Sequence, residues 1–358
     1  TGVRSTGSMR SPPCNICRGQ RGAALVVALL VFALCTALIV AMKSEFTLFY
    51  QRGANLFLGE QAYAYLRGAE DLASLALVLD VEQDIEEDQQ RDDLTEIWAQ
   101  QSTPYALDEG GWLVGGLQDL QGRFNLNALG EGVAAPEEGQ PAGNERERSR
   151  FTPAQQQFIR LLQALGEDAP AQVEAIAITE AIIDWLDSDS DITGYGGAEA
   201  EYYLQLAEPY RPANRLLADR SELRRVRYIT EALYQQLEPY VVALAADKAL
   251  NINTAPLVVV QAINRQSELA PMDRYSAERI VAARDEGMPF SGIDKFLRHE
   301  QVMALNTVND VVVGEGLDVR SDYFLLHAES EVMGRYRSMR SLLRRDSAGG
   351  RVVRRSQL

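Results

Sequence analysis

From Ala23 to Met42 the chain runs for 20 residues without a charge, Thr36 being the one clearly polar member. As a helix this run is about 30 Å long, the hydrocarbon thickness of a bilayer, so residues 23–43 are expected to form a transmembrane helix. Beyond Lys43 the apolar positions thin out but keep a helical period: Leu58, Ala62, Tyr65, Leu66, Ala69, Leu72, Ala73, Ala76 and Leu77 recur every three or four residues. The helix is therefore expected to continue out of the membrane with one apolar face, and to end in an acidic loop from Glu82 to Asp93.

The pattern then changes. Trp112-Leu113-Val114 and Phe124, Leu126 and Ala128, which alternate with polar residues, suit half-buried strands, with turn glycines at 110, 111, 115, 116 and 122. Residues 130–150, rich in Gly, Pro, Glu and Arg without apolar periodicity, read as a mobile surface loop. From Thr152 helical spacing returns over 153–165, 171–186, 221–227, 230–242, 255–264 and 276–286, and strand signals reappear at 322–332 and 335–344 around a Met333-Gly334 turn. Residues 346–358 read as a frayed tail. Each strand-bearing flank is too small to bury a core alone, so one sheet interrupted by an insertion is expected. The fold class is α+β: a long N-terminal helix packed on a small antiparallel sheet (44–129 and 316–345), interrupted by a large all-helical inserted domain (151–315).

Charge sets the orientation. The formal net charge is −16, yet residues 1–22 hold Arg4, Arg10, Arg18 and Arg21 and no acid, which leaves 31 basic and 51 acidic side chains beyond them, a net −20. Arginines before the span and Lys43 and Glu45 after it leave the N-terminus in the cytoplasm and the body across the membrane. An acidic body repels phosphate, which argues against nucleic acid as a partner. Cys14 and Cys17 form a Cys-x-x-Cys pair with no second pair at finger spacing, and Cys35 lies inside the apolar run.

The stretch Arg18-Gly-Gln-Arg21-Gly22 abuts the apolar run, which is too long for a typical signal core and lacks a small-x-small cleavage site. It resembles the leader of type IV pilins and type II secretion pseudopilins. That resemblance implies that a prepilin peptidase removes residues 1–22 by cutting between Gly22 and Ala23, with Met9 as the natural start, and that the helix is retained. The fifth mature position, glutamate in most pilins, is Val27. A carboxylate at that depth costs several kcal/mol unless paired, and in the family it pairs with a neighbouring subunit, so its absence suits a first, tip subunit.

Gly122-Arg-Phe-Asn-Leu-Asn127, Asp184-Trp-Leu-Asp187, Gly197-Ala-Glu199, Tyr210-Arg-Pro-Ala-Asn214, Ser221-Glu-Leu223 and Leu250-Asn-Ile-Asn-Thr-Ala255 occur in the order found in the general secretion protein K family. The chain resembles that family of minor pseudopilins over most of its length. The resemblance implies a structural part, not an enzyme, at the tip of a periplasmic pseudopilus. It further implies an inner-membrane anchor, pseudopilins I and J as partners, and a role in exporting folded proteins across the outer membrane.

The densest oxygen cluster is Asp184, Asp187, Asp189, Asp191, Thr193, Glu199 and Glu201. Hard oxygens at this density suit calcium, but an EF-hand starting at Asp187 needs glycine at its sixth place and glutamate at its twelfth, where Ile192 and Ala198 stand. By spacing alone, a calcium loop and a solvated acidic loop are equally compatible. The family resemblance implies structural calcium, with Asp187, Asp189 and Glu199 matching its motif best, and with Asp184 capping the helix or facing the core. A rival role, a membrane-tethered DNA receptor, draws on the helix-hairpin-helix-like part from Leu250 to Asp294. The connection 266–275 lacks the glycines whose amides would contact phosphate and carries two acids. The chain has no Gly-x-Ser-x-Gly, no phosphate-cradling glycine loop and no His-Glu-x-x-His, and His299 and His327 lack an arranged partner. The acid pairs Glu86/Glu87 and Asp92/Asp93 read as solvated faces.

Overall fold

The computed structural model describes residues 1–2, 21–100, 102–108, 110–130, 151–346 and 349–357. Cys14, Cys17, nearly all of the leader and nearly all of the 130–150 loop lie outside the described residues. Two compact units are present, residues 1–61 and 62–358. In the first, the described chain is dominated by the N-terminal part of helix α1 (Arg21–Glu87), whose apolar side chains, Leu25, Val27, Phe32 and Leu38 among them, are exposed on all sides. Among the described residues this is the one helix long and apolar enough to cross a membrane.

In the second unit the remainder of α1 lies on one face of an antiparallel sheet. Its buried positions are Ala62, Leu66, Ala69, Glu70, Ala73, Leu77 and Asp80, an i, i+3, i+4, i+7 stripe. Leu72, assigned to that stripe on spacing, is 64% exposed and points away from it. The helix also runs to Glu87, well into the expected acidic loop. The sheet has the order β1 (Tyr105–Ala106), β2 (Gly111–Asp119), β7 (Tyr323–Val332), β8 (Arg335–Asp346) and β9 (Gly349–Gln357). Strands β2 and β7 are direct partners, Gly111 opposite Val332 and Asp119 opposite Phe324, so the sheet is indeed built from both flanks of an insertion.

Three expectations change here. Gly115 and Gly116 lie within β2 rather than in a turn, because the ladder to His327 and Ala328 holds them extended. Only Phe124–Asn125 (β3) forms a strand in the 123–128 stretch, and it pairs in parallel with β4 (Val241–Val242) in the insert, not with the main sheet. The tail from Gly349 is strand β9, and its Arg355 donates to Glu70 of α1 at 2.6 and 2.7 Å. Met333 and Gly334 do turn the β7–β8 hairpin, both at positive φ.

The insert is held by helices α2 (Pro153–Gln163), α3 (Gln172–Leu186), α4 (Ala200–Leu204), α5 (Glu231–Leu237), α6 (Leu257–Gln261), α7 (Arg274–Asp285), α8 (Ile293–Leu297) and α9 (Glu300–Leu305). Thr152 and Gln155 close a capping box at α2. Two short strands, β5 (Leu250–Asn251) and β6 (Leu317–Asp318), pair in parallel beside them. Phe158, Ile159, Leu162, Ile182, Trp185 and Tyr203 anchor its core.

Several helices are shorter than their sequence periods. The 221–227 stretch is a 3-10 turn (Arg220–Arg225), and the 230–242 stretch breaks at Pro239 into α5, a second such turn and β4.

Asparagines tie the loops together. Asn127 Nδ2 donates to the carbonyls of Leu217 (3.0 Å) and Leu244 (2.7 Å) while its Oδ1 accepts from Leu217 N (2.8 Å). Asn253 holds Phe290 through both its N–H and its C=O, at 2.8 and 2.9 Å. Each of these side chains does the work of a strand partner for backbone that has none.

Candidate functional site

Helix α3 ends where Asp187 turns extended (φ −75°, ψ 170°), and the chain loops back to Glu199, which caps α4. The loop presses hard on α3. A Cβ on Gly196 would lie 2.3 Å from Ala177 Cα, and one on Gly197 would lie 2.3 Å from Asp184 Oδ2. Beneath it Trp185 and Tyr203 meet edge to face at 5.3 Å, and Tyr203 packs on Tyr210 at the same distance.

This folding brings one oxygen each from Asp187, Asp189 and Glu199 within 4.8 Å of one another. Asp184 lies beside them and fully buried: its Oδ1 accepts from Thr193 N at 3.0 Å, while Oδ2 has no hydrogen-bond partner. Asp187 Oδ1 and Glu199 Oε1 are likewise buried and unpartnered. Asp191 and Glu201 are exposed and do not join the group, although Asp191 N donates to Asp189 Oδ1 at 2.8 Å and so shapes the loop.

Burial, followed by the charges of Asp189 and Asp184, pushes Asp187 up to about 6. Burial, followed by Asp184, pushes Glu199 up to about 7. Crowded carboxylates with orphaned oxygens are a donor set that fits a hard divalent cation, which would relieve both the repulsion and the missing partners. Asn214 is a neighbour that spacing did not single out. Its Nδ2 donates to Asp189 O at 3.1 Å and its Oδ1 is buried without a partner, with the backbone at φ 44°. Only the fold brings it within reach, across 25 residues of chain.

A second acidic group, Asp80, Asp92 and Glu96, has the same spacing but already has a counter-charge in Arg345. Asp92 and Asp93 are thus buried, at 0% and 1% exposure, not solvated. The helix-hairpin-helix-like part is likewise a packing element. Arg160, buried on α2, donates to the carbonyls of Arg265 (2.8 Å) and Glu268 (2.7 Å), so the connection turns its backbone inward.

A long apolar helix continuing onto an antiparallel sheet, with a helical domain spliced between two of its strands, defines a pilin-like subunit of the pseudopilin class. The family described as Type II secretion system (T2SS), protein K, matches residues 122–246. The chain is 35% identical to the type II secretion system protein K of Pseudomonas aeruginosa, over 93% of this chain and 91% of that one. It is 33% identical to the protein K of Aeromonas hydrophila, covering 88% and 90%. Among solved structures, the GspK-GspI-GspJ complex of the enterotoxigenic Escherichia coli Type 2 Secretion System contains a similar chain. It matches with a TM-score of 0.68 and 26% identity, over 86% of this chain and 99% of that one. The chain belongs to the type II secretion system protein K family, and it is a minor pseudopilin of that system. The DNA-receptor alternative finds no support in these relatives.

Proposed function

We propose that this protein sits at the tip of the type II secretion pseudopilus, joined to pseudopilins I and J. The observation that carries the proposal is the likeness to a chain solved in complex with GspI and GspJ. Val27 supports it, because a subunit without the fifth-position carboxylate has no buried charge to neutralise against an earlier subunit. In this reading prepilin peptidase cuts between Gly22 and Ala23. The retained helix anchors the chain once in the inner membrane, with its N-terminus cytoplasmic and its body periplasmic. Its role is assembly, not catalysis.

Calcium belongs to the same proposal. Asp187, Asp189 and Glu199 would hold it, with Asp184 and Asn214 close enough to support the loop. The ion would supply positive charge that orders clustered carboxylates. Co-expression of the full chain with its I and J counterparts tests the assembly reading: the three are expected to co-purify from detergent extracts. A chain that always elutes alone would overturn it.

A further inference from the structure

The face of the sheet turned away from α1 carries a basic cleft on an otherwise acidic protein. Strand register places Leu325, Leu342 and Arg354 in one row across β7, β8 and β9, and His327, Arg340 and Ser356 in the next. Against these rows the insert brings its 3-10 turn at Arg220–Arg225 and the segment from Glu238 to Leu244, enclosing a cleft of about 310 Å³. Four arginines line it, Arg220, Arg224, Arg340 and Arg354, against two acids, Asp219 and Glu238.

The arginines are unequally committed. Arg220 donates to Glu238 at 2.9 Å, Arg354 to Asp219 at 2.9 Å, and Arg224 to Glu231 at 3.1 Å while stacking over Tyr234. Among the described residues the Arg340 side chain has no ion-pair or hydrogen-bond partner. The floor is apolar, made by Leu120, Val242 and Leu244 with Leu342 packed against them.

We propose that this cleft binds an acidic peptide segment of another chain, its carboxylate on Arg340 and its apolar neighbours on the leucine floor. A guanidinium presents a planar fork that matches a carboxylate in two parallel hydrogen bonds. The resident pairs of the wall each use one arm of the fork, Arg220 on Glu238 and Arg354 on Asp219. A phosphate dianion would meet Asp219 and Glu238 with twice the repulsion, whereas one carboxylate satisfies the single uncommitted fork and leaves the existing pairs intact. The apolar floor gives methylene and leucine side chains a place to go, which a free inorganic ion could not use.

The test is calorimetric titration of the full chain in detergent with acetyl-Leu-Glu-Leu-Glu-amide. The same peptide with glutamine for glutamate, and inorganic phosphate, serve as the other arms. The acidic peptide is expected to bind, to weaken as salt rises, and to lose about tenfold in affinity or more with Arg340→Glu. Arg340 is exposed, so that variant is expected to keep the melting temperature of the parent. Arg340→Gln serves as a second variant should charge reversal disturb folding. Equal binding of both peptides, binding indifferent to Arg340, or phosphate binding tighter than the acidic peptide would each overturn the proposal. None of these outcomes depends on whether the chain assembles with I and J.

Discussion

Arg345 on β8 donates to Asp80 on α1 across 2.9 Å, although 265 residues of sequence separate them. The same guanidinium reaches Asp92 and the carbonyl of Ser321, which makes it the point where the end of α1, the chain after it and the returning sheet meet.

Arg345→Leu leaves Asp80 and Asp92 buried without a counter-charge, their side chains being 4% and 0% exposed. Breaking a buried pair from one side costs about 3 to 5 kcal/mol. Denaturant unfolding of the variant is expected to show a loss of that size, and an unchanged midpoint would mean the acids find their compensation elsewhere.

The same cluster makes stability depend on pH. Burial first, then Asp80, raises Glu96, and burial first, then Asp92, raises Asp80. A carboxyl whose folded value lies above its unfolded one contributes stability that is full below the unfolded value and is lost as pH rises through the folded one. Melting temperature is therefore expected to fall from about pH 5 to about pH 9. Glu96→Gln keeps an acceptor for Trp98 Nε1 and removes the titration, so it should raise the melting temperature at the alkaline end and leave the acidic end nearly unchanged. The opposite ordering would contradict the assignment.

Asn127→Leu preserves volume but strands Leu217 N and two buried carbonyls. Buried backbone groups left unpaired cost about 1 to 3 kcal/mol each, so for three of them a loss of about 3 to 9 kcal/mol is expected from thermal or chemical unfolding. A loss under that range would show that water takes over the carbonyls.

Calcium at about one hundred times its dissociation constant should stabilise the protein by about 2.7 kcal/mol, visible as a rise in melting temperature. The double variant Asp187→Asn, Glu199→Gln is expected to abolish the rise. Without calcium it should melt no lower than the parent, since it also removes like-charge repulsion. A parent that shows no calcium-dependent shift would sink the metal proposal.

The sequence by itself determined what repeats locally. The apolar run at 23–42, the α1 stripe, the hairpin at Met333-Gly334 and the helices α2, α3 and α7 are legible because each follows from spacing, caps or turn chemistry within a few residues. The interruption of the sheet was legible too, since neither flank could bury a core alone. The acidic loop announced its own density, and although spacing left its members equivalent, the family resemblance pointed to Asp187, Asp189 and Glu199, the three that meet while Asp191 and Glu201 do not. Tertiary structure supplied the means, pressing the loop at Gly196 and Gly197 onto α3. It also turned Asp92 from a surface acid into a buried partner of Arg345, recruited Asn214, and made a strand of the tail. Each of these depends on a group far along the chain, whose charge or hydrogen bond reaches its partner only once the core has set the distance.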